Sequence, residues 1–217
     1  MHEVSIHKLG RVVGSYVAKK VSRLDQVEFL AFGAEILLGS ILKLSILFLI
    51  AAMLGVVLEV AILLVVTGLI RTLSGGAHCS AYYRCLVTSV LILTALGYTI
   101  KTVHPFIRLL PTIVLVAISV LSIFLYWYYS PQAPLNKPFS SRAKEVAFRW
   151  YTLIAVVMIS IILTILGTDS LIGWTMAFAL LWQAFTLTPL GHRFIGLWDI
   201  LLTFKVKGGR QNVEDYD

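Results

Sequence analysis

Residues 36–70 read I-L-L-G-S-I-L-K-L-S-I-L-F-L-I-A-A-M-L-G-V-V-L-E-V-A-I-L-L-V-V-T-G-L-I, apolar apart from Lys43, Glu59 and a few small polar side chains. At about 1.5 Å per residue, this run is too long for one crossing of a ~30 Å hydrocarbon core and just enough for a short hairpin. Dividing it near Gly55 gives span 1 at residues 36–54 and span 2 at residues 56–70. The chain as a whole agrees with that reading. It is 59% hydrophobic and 13% charged, with a mean hydropathy of +0.89. Soluble domains carry roughly 45–50% apolar and about 25% charged residues. The expected fold is all-α, a polytopic membrane helical bundle.

Downstream of the hairpin, four further apolar runs bring the expected number of spans to about six. Span 3 covers residues 85–103, and His104, Pro105, Arg108 and Pro111 then suggest a short turn, since X-Pro disfavours a continuing helix. Span 4, residues 112–129, closes on the aromatic belt Tyr126, Trp127, Tyr128 and Tyr129, typical of a membrane interface. Residues 130–149 read as the longest internal loop, because three prolines in eight positions forbid regular structure at its start. Spans 5 (residues 150–167) and 6 (residues 171–189) flank Gly167-Thr168-Asp169-Ser170.

Upstream, residues 1–33 form an amphipathic N-terminal helical segment. Val4, Leu9, Val12, Val13, Tyr16, Val17, Leu24 and Val27 recur at helical intervals among Lys8, Arg11, Lys19, Lys20 and Arg23. Such a segment either lies in the headgroup region against anionic lipid or only fixes topology. No cleavable secretory signal is visible, so insertion is expected to use the first span. The organisation is therefore an interfacial segment (1–33), a membrane domain (34–190) and a polar tail (191–217).

The net charge of +7 raises the question of nucleic acid. The basic residues answer it by falling in clusters between or outside the apolar runs. With both termini cytoplasmic, the N-terminal segment, residues 71–84, residues 130–149 and the tail hold fifteen of the eighteen Lys and Arg residues. Only Lys101 and Arg108 fall at the outer face, with Lys43 inside span 1. The positive-inside rule thus orients the chain in a cell membrane and excludes a nucleic-acid partner.

The same orientation puts residues 71–85, R-T-L-S-G-G-A-H-C-S-A-Y-Y-R-C, at the cytoplasmic surface. Both cysteines of the chain lie there, six residues apart, which is no disulfide framework, and cytoplasmic thiols stay reduced. Cysteine is a strong nucleophile near neutral pH when a histidine or cation favours its thiolate. On a continuous helix His78 and Cys85 would share a face but stand about 10 Å apart, too far for a hydrogen bond. They can cooperate only if Gly75-Gly76 bends the chain. Cys79 is adjacent to His78, and adjacent side chains usually point apart, so geometry favours Cys85.

At these residues the chain resembles the accessory gene regulator protein B (AgrB) family, the membrane cysteine endopeptidases of Gram-positive quorum sensing. Arg71, Gly75, Gly76, His78 and Cys85 fall on the family pattern R-x-x-x-G-G-x-H-x-x-x-x-x-x-C, and Ala133-Pro134-Leu135-Asn136-Lys137-Pro138 resembles a second family segment. Cys79 is an addition to the pattern. The resemblance implies that Cys85 is the nucleophile and His78 the general base, without cofactor or metal. It implies cleavage of a small precursor peptide ahead of an acidic C-terminal part, through a thioester acyl-enzyme that an internal thiol or hydroxyl resolves into a ring. It marks Arg71 and Gly76 as important, and makes a homodimer plausible.

Other polar residues have two readings each. Glu35 could orient His78 or face headgroups. Lys43, an ionisable group inside span 1, is a functional candidate by default, or pairs with Glu59 across the hairpin, which is the favoured account. Lys137, Arg142 and Lys144, with Arg149, could receive an acidic peptide tail or only enforce topology. His2, His7, His104 and His192 are scattered and suggest no metal site. The competing class is a transporter or sensor binding a soft metal through His78, Cys79 and Cys85, which would need a fourth donor.

Overall fold

The computed structural model describes residues 6–21, 24–133 and 139–203. All regular structure in them is helical: α1 (Ile6–Lys20), a 3₁₀ turn (Leu24–Gln26), α2 (Val27–Met53), α3 (Val57–Ser74), α4 (Tyr82–Ile107), α5 (Ile113–Tyr129), α6 (Arg142–Leu166), α7 (Leu171–Leu187) and α8 (Pro189–Leu201). The fold class is the expected one. The hairpin of α2 and α3 turns where the sequence puts it, with Gly55 at φ +67.

The helix ends differ from the hydropathy boundaries. Hydropathy measures apolar length, whereas a helix runs until a cap or breaker stops it. The segment 1–33 divides into α1, the 3₁₀ turn and the start of α2, which begins at Val27 rather than Ile36. Residues 142–149, read as loop, are the first turns of α6, because Ser141 Oγ caps the helix by accepting the Lys144 N–H. Helix α4 carries on through Pro105 to Ile107 in place of the expected turn. The proline falls in the final turn, where few backbone bonds remain for it to disrupt.

Four helices, α2, α3, α4 and α6, are long and apolar enough to cross a membrane, and α7 with α8 makes a fifth if the bent pair is one span. The sixth expected span, α5, has 17 residues, about 25 Å of helix, which is short for a full crossing.

Helix α7 lies at the centre, against α3, α4, α5, α6 and α8. Its buried face carries Trp174, Ala177, Leu180, Ala184 and Leu187, meeting Leu63 and Ile70 of α3 and Val156 and Leu163 of α6 in one core. Tyr126 of α5 is fully buried, and its hydroxyl donates to the Leu180 carbonyl at 3.1 Å. After Thr188 the chain turns by 85° into α8, whose N-terminus Thr188 Oγ1 caps by accepting the Gly191 N–H. That bend brings α8 back across the start of α4. Helix α1 packs along α2.

Candidate active site

The site begins where α3 ends. Gly75 has φ +74 and Gly76 φ +134, a conformation open to glycine and strained for other residues. The chain leaves the helix there, runs irregularly through Ala81 and re-enters helix at Tyr82. The break required for His78 and Cys85 to cooperate is therefore present.

Distant segments hold the loop in place. The buried Gln183 side chain of α7 donates to the Gly75 carbonyl at 2.9 Å and to Ser74 Oγ at 3.3 Å. The Ala77 N–H donates to the Thr186 carbonyl. The Gln132 N–H donates to the Ser74 carbonyl at 2.8 Å, while its side-chain amide donates to the Leu187 carbonyl at 2.6 Å. At the other end, Asp199 of α8 accepts from the Ser80 N–H at 3.1 Å and its hydroxyl at 2.8 Å, and pairs with Arg84 at 3.4 Å. The stretch leading into Cys85 is thus fixed at both ends.

A cavity of about 270 Å³ opens beside the loop. His78, Cys79 and Cys85 all line it, with Arg71 and Lys43 among apolar walls that include Leu64, Leu93, Trp182 and Ile195. Cys85 is half-buried in the first turns of α4, at the positive end of the helix dipole, which favours negative charge developing nearby. Among the described residues no hydrogen bond joins His78 directly to Cys85. The His78 ring is instead held by Arg71, whose Nη2 lies 3.2 Å from Nδ1 and also donates to the Ala77 carbonyl. A guanidinium only donates, so Nδ1 accepts and the neutral ring carries its hydrogen on Nε2.

The surroundings shift the His78 ring and the Cys79 thiol. Partial burial, then the charges of Arg71, Lys43 and His192, hold the His78 pKa below the usual histidine value, so the ring is neutral at pH 7. A neutral imidazole can accept a proton. Burial pushes the Cys79 thiol up, despite its contact with Thr88 Oγ1 at 3.9 Å. A thiol held protonated is a poor nucleophile.

The remaining residues singled out from the sequence lie elsewhere. Glu35 faces Gly10 of α1 and is not among the residues lining the cavity; Arg71 contacts the His78 ring. Arg142 and Lys144 are exposed in the first turn of α6, outside the cavity. Lys137, with most of the second family segment, lies outside the described residues. The expected Lys43–Glu59 pair is corrected: among the described residues there is no such ion pair, and Glu59 is buried at the start of α3. An antiparallel hairpin sets Lys43 ten residues from its turn and Glu59 near it, about 12 Å apart in depth.

With the geometry in place, comparison with known proteins decides the family. Residues 11–187 match the family described as Accessory gene regulator B. The chain belongs to that family. Its relatives include Putative AgrB-like protein 2 of Clostridium perfringens (strain 13 / Type A), 24% identical over 199 residues, covering 83% of this chain and 92% of the relative. The putative AgrB-like protein of Clostridium acetobutylicum is 23% identical over 193 residues, with 88% and 89% covered. Accessory gene regulator protein B of Staphylococcus aureus (strain Newman) is 28% identical over 130 residues, 59% of this chain and 66% of that one. No solved structure matches the chain.

Within this member of the AgrB family, Gln132, Gln183 and Asp199 are the site residues that sequence reasoning missed, and Lys43, a candidate more readily explained by a pair with Glu59, lines the cavity. A lysine or glutamine inside an apolar run is a signal in itself, since polar groups in membrane helices are costly and tend to be functional. Which wall of which cavity they face is set by packing. Among the described residues no three His, Cys, Asp or Glu side chains converge as a metal site, so the soft-metal alternative gains no support from the arrangement of His78, Cys79 and Cys85.

Proposed function

We propose that the protein is a membrane cysteine endopeptidase that cleaves a small precursor peptide of a quorum-sensing system, with Cys85 as nucleophile and His78 as general base. The observation that carries this reading is that His78 and Cys85, seven residues apart in sequence, line one cavity behind a break at Gly75-Gly76. His78 takes the thiol proton, Cys85 Sγ attacks the scissile carbonyl, and the leaving amine takes the proton back as the thioester forms. In the resting geometry Arg71 occupies Nδ1, so a proton accepted there displaces the guanidinium. Water, or an internal nucleophile of the peptide, then resolves the thioester. In the orientation given by the positive-inside rule, the cavity opens to the cytoplasm, where a newly made precursor with an acidic C-terminal part can reach it and the thiols stay reduced.

Co-expression with a small precursor peptide that carries an acidic C-terminal part tests the reading. Cys85→Ala and His78→Ala each abolish processing, seen as loss of the shortened peptide and of a thioester adduct, whereas Cys79→Ala processes normally. Full processing by Cys85→Ala refutes it.

A further inference from the structure

One cation lining the cavity has no part in the chemistry above. Lys43 reaches it from α2, while Cys85 comes from α4 and His78 from the loop, so three separate elements converge there. The neighbouring cations are engaged: Arg71 with the Ala77 carbonyl and His78, Arg84 with Asp199. Lys43 makes no hydrogen bond or ion pair among the described residues. Its helix is long and apolar enough to cross a membrane. An ammonium in such a setting is costly, and it is tolerated where it faces a cavity that has a use for its charge. The apolar walls Leu64, Leu93 and Ile195 limit water around it, which strengthens any interaction with an anion.

We propose that Lys43 stabilises the oxyanion of the reaction, its ammonium taking the negative charge that appears on the scissile carbonyl oxygen when Cys85 adds to the carbon. The inference rests on the peptidase reading. Cys85 Sγ, its proton passed to His78, forms the S–C bond, and the carbonyl π pair moves onto oxygen. Lys43 donates an N–H to that oxygen and keeps its own protons throughout. When the pair returns, the C–N bond breaks and the amine leaves with the proton from His78. A preorganised donor aimed at developing charge acts on the transition state more than on the bound substrate. Lys43 also acts on the base, since its charge is one of those that depress the His78 pKa. The titratable groups around that ring are Arg71 from α3, Lys43 from α2, His192 from α8, Cys85 from α4 and Cys79 beside it; α7 contributes the uncharged Gln183 and Thr186 to the cavity.

The test compares Lys43→Met and Lys43→Arg with the unaltered protein in lipid nanodiscs, using in single turnover a precursor peptide that the unaltered protein processes. Lys43→Met should slow acyl-enzyme formation by about 10²–10³-fold, the usual cost of one oxyanion donor, with little change in half-saturating peptide. Lys43→Arg, which keeps the charge, should retain much of the rate. The acid limb of the rate–pH profile should move to higher pH in Lys43→Met, because a positive neighbour of His78 is gone, and stay in place in Lys43→Arg. An unslowed Lys43→Met, a loss confined to KM, or a loss in both variants with the acid limb unmoved overturns the proposal. Cys85→Ala runs alongside: if it still processes the peptide, the peptidase reading fails. If it is inactive while Lys43→Met is active, only the role of Lys43 fails.

Discussion

Replacing Gly75 by alanine puts two separate costs on the loop, and Gly167 supplies the means to tell them apart. Gly75 has φ +74 and ψ −149, and Gly167 has φ +73 and ψ 180. Both lie in a region that residues with a side chain rarely adopt, and both substitutions incur backbone strain of about 1–3 kcal/mol. At Gly167 a Cβ meets nothing within 4 Å, whereas at Gly75 it stands 2.0 Å from the Gln132 carbonyl oxygen. Ordinary contact begins near 3.4 Å, so backbone must move by 3.4 − 2.0 = 1.4 Å. Movement of Gln132 on that scale breaks its bonds to the Ser74 and Leu187 carbonyls. Each is worth about 0.5–1.5 kcal/mol net, so Gly75→Ala should cost about 1–3 kcal/mol more than Gly167→Ala. For a chain of this size that separates apparent melting temperatures in one detergent by about 2–12 °C. Processing measured well below both transitions should fall in Gly75→Ala and persist in Gly167→Ala, because only the former displaces the loop bearing His78. Equal melting temperatures and equal processing would refute the strap formed by Gln132 across the end of α3.

Two further predictions concern the chemistry and its support. Because the His78 pKa is held below its ordinary value of 6.5, the neutral base is present above that depressed value. Cleavage should therefore persist as pH falls through 6.5 and fail only lower, in a single-turnover rate–pH profile; an acid limb above 6.5 counts against His78 as the base. Asp199→Asn removes the charge that holds Ser80 and Arg84. It should lower kcat more than it changes KM and speed proteolysis within residues 75–81, while Asp199→Glu restores part of both. Unchanged kcat in Asp199→Asn would show that α8 does not position Cys85.

The sequence by itself determined the membrane class, the α2–α3 hairpin and the break that follows α3. These rest on local properties: apolar length against bilayer thickness, and a glycine pair whose break is written in the backbone freedom of Gly75 and Gly76. His78 and Cys85 were legible for the same reason, as reactive groups in a chain with few of them. Helix limits were less so, since Val27 and Arg142 begin helices on capping and continuity, which hydropathy does not weigh. Tertiary structure alone decided the partners of those reactive groups. Lys43 lies in the first arm of the hairpin, where the adjacency of the two spans suggests Glu59 as its partner, yet helix depth separates the two and packing puts Lys43 beside the cavity. Gln183 and Asp199 act on a loop more than a hundred residues earlier, and only the central packing of α7 and the 85° turn into α8 bring them there. Residues 71–85 hold the reactive groups, and their arrangement around one cavity comes from contacts across the bundle, which no local reading of the chain contains.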